Sequence, residues 1–257
     1  MNAAALLQTV TSGRELRRLR VGIVDSGLDG RAEPGMRVVA ARRFVQDTEG
    51  VAEVAQIEPD ALGHGSALAQ IILEDNPCID LVIAQVFGAK RMCSSAQVAA
   101  ALDWLTREGV VVANLSFGIN APDATLRHAC ERAASAGMVL VSSAPARGAP
   151  TFPAAYPFCI AVSGDARCDK DQISWLGSPA VDFGAYPFAT PADPRSGGAS
   201  FAAARVAARV ARLLVEAAAV SDIPGALRAQ CSYHGPEVRH PDTVNRAAAA
   251  ATIARQS

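Results

Sequence analysis

Short runs of β-branched and other apolar residues alternate along this chain with longer segments in which apolar residues recur every three or four positions. The short runs are typical of buried strands and cover residues 20–24, 38–45, 81–87, 110–114, 139–142 and 159–163. The longer segments are typical of helices and comprise a stretch starting at Gly65, residues 94–107 and 125–136, and an Ala-rich stretch starting at Ser200. This alternation predicts a three-layer α/β fold with a mostly parallel central sheet flanked by helices. In such a fold, reactive side chains lie where strands end or helices begin.

The length and composition indicate one globular domain. The chain has 257 residues, of which 50% are hydrophobic and 19% are charged, and this excludes a disordered chain or a coiled coil. Since a single α/β domain can reach roughly 250 residues, we predict one domain over residues 1–257. The formal net charge of -1 provides no basic surface for phosphates, so nucleic acid is not an expected partner.

The sequence also bears on membranes and on the cellular compartment. The longest uncharged stretch, residues 148–164, contains three prolines that would interrupt a membrane-spanning helix. An apolar patch at residues 3–7 is not preceded by basic residues and is too short for a secretory signal. The six cysteines form no C-x-x-C pair, which favours reduced thiols. We therefore predict a cytoplasmic protein without a membrane partner.

Three positions carry more reactive chemistry than a protein core needs. Asp25 follows the first strand-like run, His64 lies between two glycines at a helix start, and Ser200 opens the Ala-rich helix after Gly197, Gly198 and an alanine. Each residue alone has an ordinary structural interpretation, as a turn residue, a polar residue near a helix start or an N-cap. Their occurrence together, each at a strand end or a helix start, favours a shared catalytic site.

The motifs around these residues resemble those of the subtilisin-like serine proteases, or subtilases. The segment 24–27 (VDSG) is similar to the Asp motif of that family, 64–66 (HGS) to its His motif and 198–202 (GASFA) to its Ser motif. The order Asp, His, Ser is the order known for subtilisin. Two further segments are similar to the family, 114–118 (NLSFG) and 152–157 (FPAAYP). The likeness extends from about residue 21 to residue 215 and implies a subtilisin-like fold.

The resemblance implies a serine endopeptidase that uses no cofactor and no catalytic metal. Ser200 is then the nucleophile, His64 the general base and acid, and Asp25 the group that orients the imidazole. A peptide or protein substrate is expected to bind in extended form beside a short strand. The residues implied in substrate binding are Ser116, Phe117 and Gly118, with Phe87 and Gly88 on the opposite wall of the cleft.

This sequence departs from the family at the oxyanion hole. The alignment of residues 139–148 places Ala146 where the family has an Asn whose amide stabilises the oxyanion. A methyl group cannot donate a hydrogen bond. The backbone N–H of Ser200 then provides one donor to the oxyanion. Residues Ala199 and Ala204 also replace a Thr and a Pro of the family pattern. A weakened oxyanion hole fits a slow enzyme, or one that needs an activating protein partner.

Two main functional hypotheses follow, and a third remains open. The first is a serine endopeptidase for limited cleavage of one precursor peptide, such as removal of a leader during peptide maturation. The second is a pseudoprotease that binds a peptide or a partner chain without cutting it. Asp25, His64 and Ser200 favour the first hypothesis, whereas Ala146 favours the second. A third is an esterase or acyltransferase, since an acyl-enzyme can react with nucleophiles other than water.

Overall fold

The computed structural model describes residues 18–29, 36–74, 76, 78–189, 197–216 and 219–237. The strands are β1 (Leu19–Asp25), β2 (Val38–Gln46), β3 (Val51–Val54), β4 (Ile79–Gln85), β5 (Val112–Leu115), β6 (Val139–Ser143), β7 (Cys159–Gly164), β8 (Ile173–Trp175), β9 (Phe183–Ala185) and β10 (Tyr233–His234). The α-helices are α1 (His64–Glu74), α2 (Ser95–Arg107), α3 (Ala124–Ser135), α4 (Ala199–Val215) and α5 (Ile223–Ala229), the last preceded by a 3-10 turn at Val220–Asp222. The predicted single domain over 1–257 includes segments that lie outside these residues.

The strands form one sheet in the order β10-β8-β9-β7-β6-β5-β1-β4-β2-β3. β1 lies between β4 and β5 and is parallel to both, with Ile23 opposite Ile83 on one side and Asn114 on the other. Among the described strands only two neighbouring pairs are antiparallel, β2 with β3 and β8 with β9. The predicted mostly parallel sheet is therefore confirmed. Since parallel strands end at the same edge, the segments that follow β1, β4, β5 and β6 meet there.

Helices cover both faces of the sheet, as the predicted three-layer fold requires. On one face α1 and α4 pack against the sheet, and Leu68 and Val206 contribute fully buried side chains. On the other face α2 and α3 do the same, through residues such as Leu102 and Leu126. Burying a Leu or Val side chain stabilises the fold by about 1.5–3 kcal/mol, so these two cores stabilise the packing of the helices on the sheet.

Several elements differ from the sequence-based expectation. The strand predicted over 81–87 ends at Gln85, because the N–H groups of Val86 and Phe87 both donate to the Asp25 carbonyl, at 2.9 and 3.3 Å. Strands β3, β8, β9 and β10 were not predicted. They have two to four residues each, too few for a periodic pattern to be recognised.

Two further features bear on the sequence-based predictions. All six cysteines are free thiols in the structure. Among the described helices, none combines the length and the apolar character needed to cross a bilayer.

Candidate active site

Asp25 ends β1 at the edge of the sheet where the parallel strands terminate. Its side chain is buried, and Oδ1 accepts hydrogen bonds from the Ser26 N–H at 2.8 Å, the Ser26 hydroxyl at 3.0 Å and His64 Nδ1 at 2.8 Å. Since a carboxylate only accepts, the proton of the imidazole lies on Nδ1. Nε2 then keeps its lone pair and is the nitrogen that can act as a base.

His64 is the first residue of α1, and the Asp60 carboxylate accepts hydrogen bonds from residues at the start of this helix. Asp60 Oδ2 accepts from the backbone N–H of Ser66 at 2.9 Å and from its hydroxyl at 2.8 Å, while Oδ1 accepts from the Leu62 N–H at 3.1 Å. Burial raises the pKa of Asp60, but hydrogen bonding by Ser66, Ser26 and Leu62 outweighs it, and the pKa lies below its usual value. Asp60 therefore remains a carboxylate that satisfies the free N–H groups of the helix start.

Two glycines allow α1 to pack directly on the turn after Asp25. A β-carbon on Gly65 would overlap the carbonyl oxygen of Gly27, and one on Gly27 would lie 2.5 Å from the Gln85 side-chain nitrogen. The Gly65 N–H donates to the Ser26 hydroxyl at 3.0 Å, so the helix is hydrogen-bonded to the residue next to Asp25. This close approach sets the distance between Asp25 and His64.

Gln85, at the end of β4, connects the turn after Asp25 to the segment before α1. Its amide donates to the carbonyls of Ser26, at 2.7 Å, and Glu58, at 3.0 Å, and accepts from the Glu58 N–H at 2.8 Å. Sequence analysis did not identify Gln85, Asp60 or Ser26 as site residues. Only their proximity in sequence to the Asp and His motifs could have pointed to Ser26 and Asp60, and nothing local pointed to Gln85.

Ser200 is the second residue of α4 and lies at the same edge of the sheet. Its N–H is one of the four that an α-helix leaves without an internal acceptor, so it can contribute to binding an anion. The turn before it is held by a Gly198 N–H that donates to the Pro187 carbonyl at 2.8 Å. One turn later, Arg205, which is 9% exposed, donates to the Phe188 carbonyl at 2.8 Å.

The structure brings Ser200 beside the predicted substrate strand and near His64. The Ser200 hydroxyl donates to the Ser116 carbonyl at 3.4 Å, and the Ser116 hydroxyl donates to the Ser200 carbonyl at 3.4 Å. The rings of His64 and Phe201, the residue after Ser200, lie 5.6 Å apart between centroids. In the described part of the chain no hydrogen bond joins Ser200 to His64. Catalytic hydrogen bonds are often long in the absence of substrate and shorten when it binds.

The predicted substrate-binding residues lie at the same edge. Ser116 continues from β5, and its hydroxyl accepts from the Asn114 side chain at 2.8 Å. Phe117 meets Phe87 edge to face, with ring centroids 6.0 Å apart. Gly88 and Gly118 are exposed, and the next residue, Ile119, forms a β-bridge with Phe152.

Ala146 lies on the exposed loop after β6 and provides no side-chain donor. The neighbouring Arg147 is also exposed, and its side chain makes no hydrogen bond or ion pair with any residue that the structure describes. The loop is tied to the sheet at its start, where the Ala144 N–H donates to the Val162 carbonyl at 2.7 Å. As for metals, no cluster of three or more His, Cys, Asp or Glu side chains suited to a metal ion occurs among the described residues.

With this geometry established, comparison with known proteins identifies the family. A model of the subtilase family, Peptidase_S8, matches residues 17–223. The chain belongs to the subtilase family. This subtilase is 29% identical over 172 residues to alkaline elastase YaB of Bacillus sp. (strain YaB), a match that covers 62% of this chain and 43% of that protein. It is 28% identical over 172 residues to Subtilisin Savinase of Lederbergia lenta, covering 62% of this chain and 61% of that protein.

Solved structures of similar fold include a lanthipeptide protease. That structure superposes with a TM-score of 0.66 at 18% sequence identity and covers 82% of this chain and 80% of its own. At such identity the likeness establishes the fold. The subtilase spans less than two thirds of the length of the two curated relatives named above.

Proposed function

We propose that this subtilase is a serine endopeptidase that works through Asp25, His64 and Ser200. The observation that carries the proposal is the 2.8 Å hydrogen bond from His64 Nδ1 to the buried Asp25 carboxylate, which leaves Nε2 free as a base at the edge where α4 presents Ser200. A Ser hydroxyl is a weak nucleophile until a base removes its proton, and a neutral imidazole suits this task near pH 7.

The reaction proceeds in two halves. Ser200 Oγ attacks the carbonyl carbon of the scissile peptide bond while His64 Nε2 takes the hydroxyl proton, and a tetrahedral oxyanion forms. The C–N bond then breaks, His64 returns the proton to the leaving amine, and an acyl-enzyme on Ser200 remains. Water, deprotonated by His64, then attacks the carbonyl carbon of the acyl-enzyme. The ester bond to Ser200 Oγ breaks, His64 returns the proton to Oγ, and the carboxylic acid leaves.

Asp25 supports both halves of the reaction without taking up the proton. Its Oδ1 keeps the imidazole proton on Nδ1 and stabilises the imidazolium that forms when Ser200 is deprotonated. The two hydrogen bonds from Ser26, at 2.8 and 3.0 Å, hold the same oxygen in place. Asp25 Oδ2, by contrast, is buried without a hydrogen-bond partner among the described residues.

The oxyanion site has fewer hydrogen-bond donors than the family pattern provides. The Ser200 N–H at the start of α4 is one donor, and the exposed Ala146 supplies none. In subtilisin itself, removing the oxyanion-hole Asn lowers kcat by about 10²- to 10³-fold. We infer a slow peptidase whose turnover depends on tight positioning of its substrate or on an activating protein partner.

Slow, selective turnover suits limited processing of one precursor peptide in the cytoplasm. An extended peptide would bind beside Ser116, Phe117 and Gly118, where main-chain hydrogen bonds give affinity independent of sequence. The chain shares its fold with a lanthipeptide protease, which supports a peptide-maturation role without specifying the substrate.

The alternative is a pseudoprotease that holds a peptide or partner chain without cutting it. Two observations favour it, the absence of a side-chain donor at Ala146 and the absence of a hydrogen bond between Ser200 and His64 among the described residues. Both functions use the same binding edge, so activation of Ser200 distinguishes them.

A fluorophosphonate probe that reacts only with an activated serine tests the proposal. We expect labelling of the wild type, no labelling of Ser200→Ala, and strongly reduced labelling of His64→Ala. Ser135→Ala, at an exposed position on α3, is the matched control and should label like the wild type. Equal labelling of Ser200→Ala would refute the assignment of the nucleophile. A wild type that stays unlabelled under every partner condition would favour the pseudoprotease instead.

A further inference from the structure

Lys90, Arg91 and Met92 form an exposed, positively charged segment that no described side chain covers. Met92 is 78% exposed, and Lys90 and Arg91 are exposed as well. Neither cation forms a hydrogen bond or ion pair through its side chain within the described part of the chain. Lys90 is one of only two lysines in the sequence. We call residues 90–92 the rim segment.

The rim segment lies between two anchored points of the chain. Upstream, Val86 and Phe87 are hydrogen-bonded to the Asp25 carbonyl, at 2.9 and 3.3 Å, and Phe87 packs on Phe117. Downstream, Ser94 caps α2, and its hydroxyl donates to the Gln46 side chain at 2.9 Å. The rim segment therefore follows closely after Phe87, whose ring packs on Phe117 in the segment along which a peptide is expected to lie.

A third unpaired cation stands on the other side of that strand. Arg147 is exposed on the loop after β6, and β6 adjoins β5, which leads into residues 116–118. Two carboxylates at this edge are already engaged, Glu58 by Arg43 and Asp60 by Ser66. The backbone N–H of Asp29 donates to the Ser66 hydroxyl at 2.8 Å, and the Asp29 side chain is exposed near the start of α1. Exposed cations, Lys90 and Arg91 after β4 and Arg147 after β6, therefore follow the two segments that border residues 116–118.

We propose that this cleft selects acidic peptides, with substrate carboxylates against Lys90, Arg91 and Arg147 and an apolar substrate side chain on Met92. The proposal rests on the proposed function, because it assumes that a peptide binds along residues 116–118. Each exposed ion pair contributes at most about 5-fold to affinity, so two or three together give about 10-fold or more. Complementary charge also raises the association rate and makes binding sensitive to salt.

The test measures binding separately from cleavage. Full-length Ser200→Ala protein is titrated into three fluorescein-labelled peptides that differ only in having three Glu, three Gln or three Lys residues around one Leu. We expect the Glu peptide to bind about 10-fold more tightly than the Gln peptide and the Lys peptide more weakly than both. At 0.5 M NaCl, where screening is strong, the difference should shrink to about 2-fold.

Matched variants locate the effect. Lys90→Ala/Arg91→Ala should remove most of the preference for Glu over Gln, and Arg147→Ala should reduce it further. Lys170→Ala/Arg127→Ala removes the same two charges from exposed positions elsewhere and should leave the preference intact. Equal binding of the Glu and Gln peptides, or a preference that survives Lys90→Ala/Arg91→Ala, overturns the proposal.

The outcome is distinguishable from failure of the proposed function. Fluorophosphonate labelling of Ser200 together with equal affinity for all three peptides leaves the peptidase in place and overturns the acidic preference. A clear Glu preference in a protein whose Ser200 is never labelled supports an acidic-peptide site in a pseudoprotease.

Discussion

Gly65 lies so close to Gly27 that a β-carbon on Gly65 would overlap the Gly27 carbonyl oxygen. The contact joins the first turn of the helix that starts at His64 to the turn that follows Asp25. Both sides of the contact are backbone, so neither can move aside as a flexible side chain would. The geometry of the Asp25–His64 pair therefore depends on Gly65, which has no reactive side chain.

Gly65→Ala should impair both activity and stability. The added methyl group must push α1 away from β1, which lengthens the 2.8 Å bond between His64 and Asp25, and overpacking of this kind costs about 1–3 kcal/mol. We expect a lower melting temperature and strongly reduced fluorophosphonate labelling. Gly225→Ala is the control, because that glycine lies in α5 with no atom within 4 Å of an added β-carbon. It should be neutral or slightly stabilising.

Asp60→Asn tests the carboxylate that fastens the start of α1. An amide cannot accept at both positions, so at least one of the hydrogen bonds from Ser66 or Leu62 is lost, at a cost of about 1–2 kcal/mol. His64 then loses its fixed position, and we expect kcat to fall about 10-fold with little change in KM. Asp165→Asn removes a buried carboxylate bonded to Arg167, away from the triad. It should lower stability while leaving kcat unchanged.

The Asp60 carboxylate should affect how the free energy of unfolding falls at acid pH. The pKa of Asp60 is lowered in the folded protein, so the unfolded chain binds more protons around its ordinary value of 3.8. The stabilisation is therefore complete above that value and is lost as the pH falls through the folded pKa. Chemical denaturation at a series of pH values should show a shallower acid-side decline for Asp60→Asn. A decline identical to that of the wild type would contradict the assignment.

Ala146→Asn tests the oxyanion site. If the loop holds this position where the family has its Asn, the new amide donates to the oxygen that becomes negative in the transition state. We expect kcat to rise about 10²-fold on a cleaved peptide with little change in KM. If Arg147 already supplies a donor, Ala146→Asn gives no gain and Arg147→Ala abolishes turnover. Unchanged turnover in both variants would show that the alignment of this loop is wrong.

Cys93 and Cys168 should behave as protected thiols. Burial, followed by the charge of a nearby Asp, raises the pKa of Cys93 to about 12 and of Cys168 to about 11, so both remain protonated and unreactive near pH 8. Alkylation of the native protein should therefore modify the exposed Cys78 first, and all six cysteines should react after denaturation. Reductant should not change the melting temperature. A large decrease on adding reductant would instead indicate disulfides and an oxidising compartment.

The sequence by itself determined the fold class and the family. The alternation of strand-like and helical segments is a local pattern, because backbone periodicity decides which side chains share a face. The motifs around Asp25, His64 and Ser200 are also local, since each is read from a few consecutive residues. The triad assignment itself stays a prediction until Ser200 has been tested.

Only the tertiary structure decided how these motifs are held together. Gln85 is 59 residues from Ser26 in sequence, yet its amide is bonded to the Ser26 carbonyl. The helix that begins at His64 packs on Gly27, and the Arg205 guanidinium holds the segment beside Ser200. The relation of the rim segment to the expected substrate-binding residues likewise depends on the packing of Phe87 against Phe117. Such contacts join residues far apart in the chain, so no local pattern encodes them, and packing of the sheet and its helices brings them together.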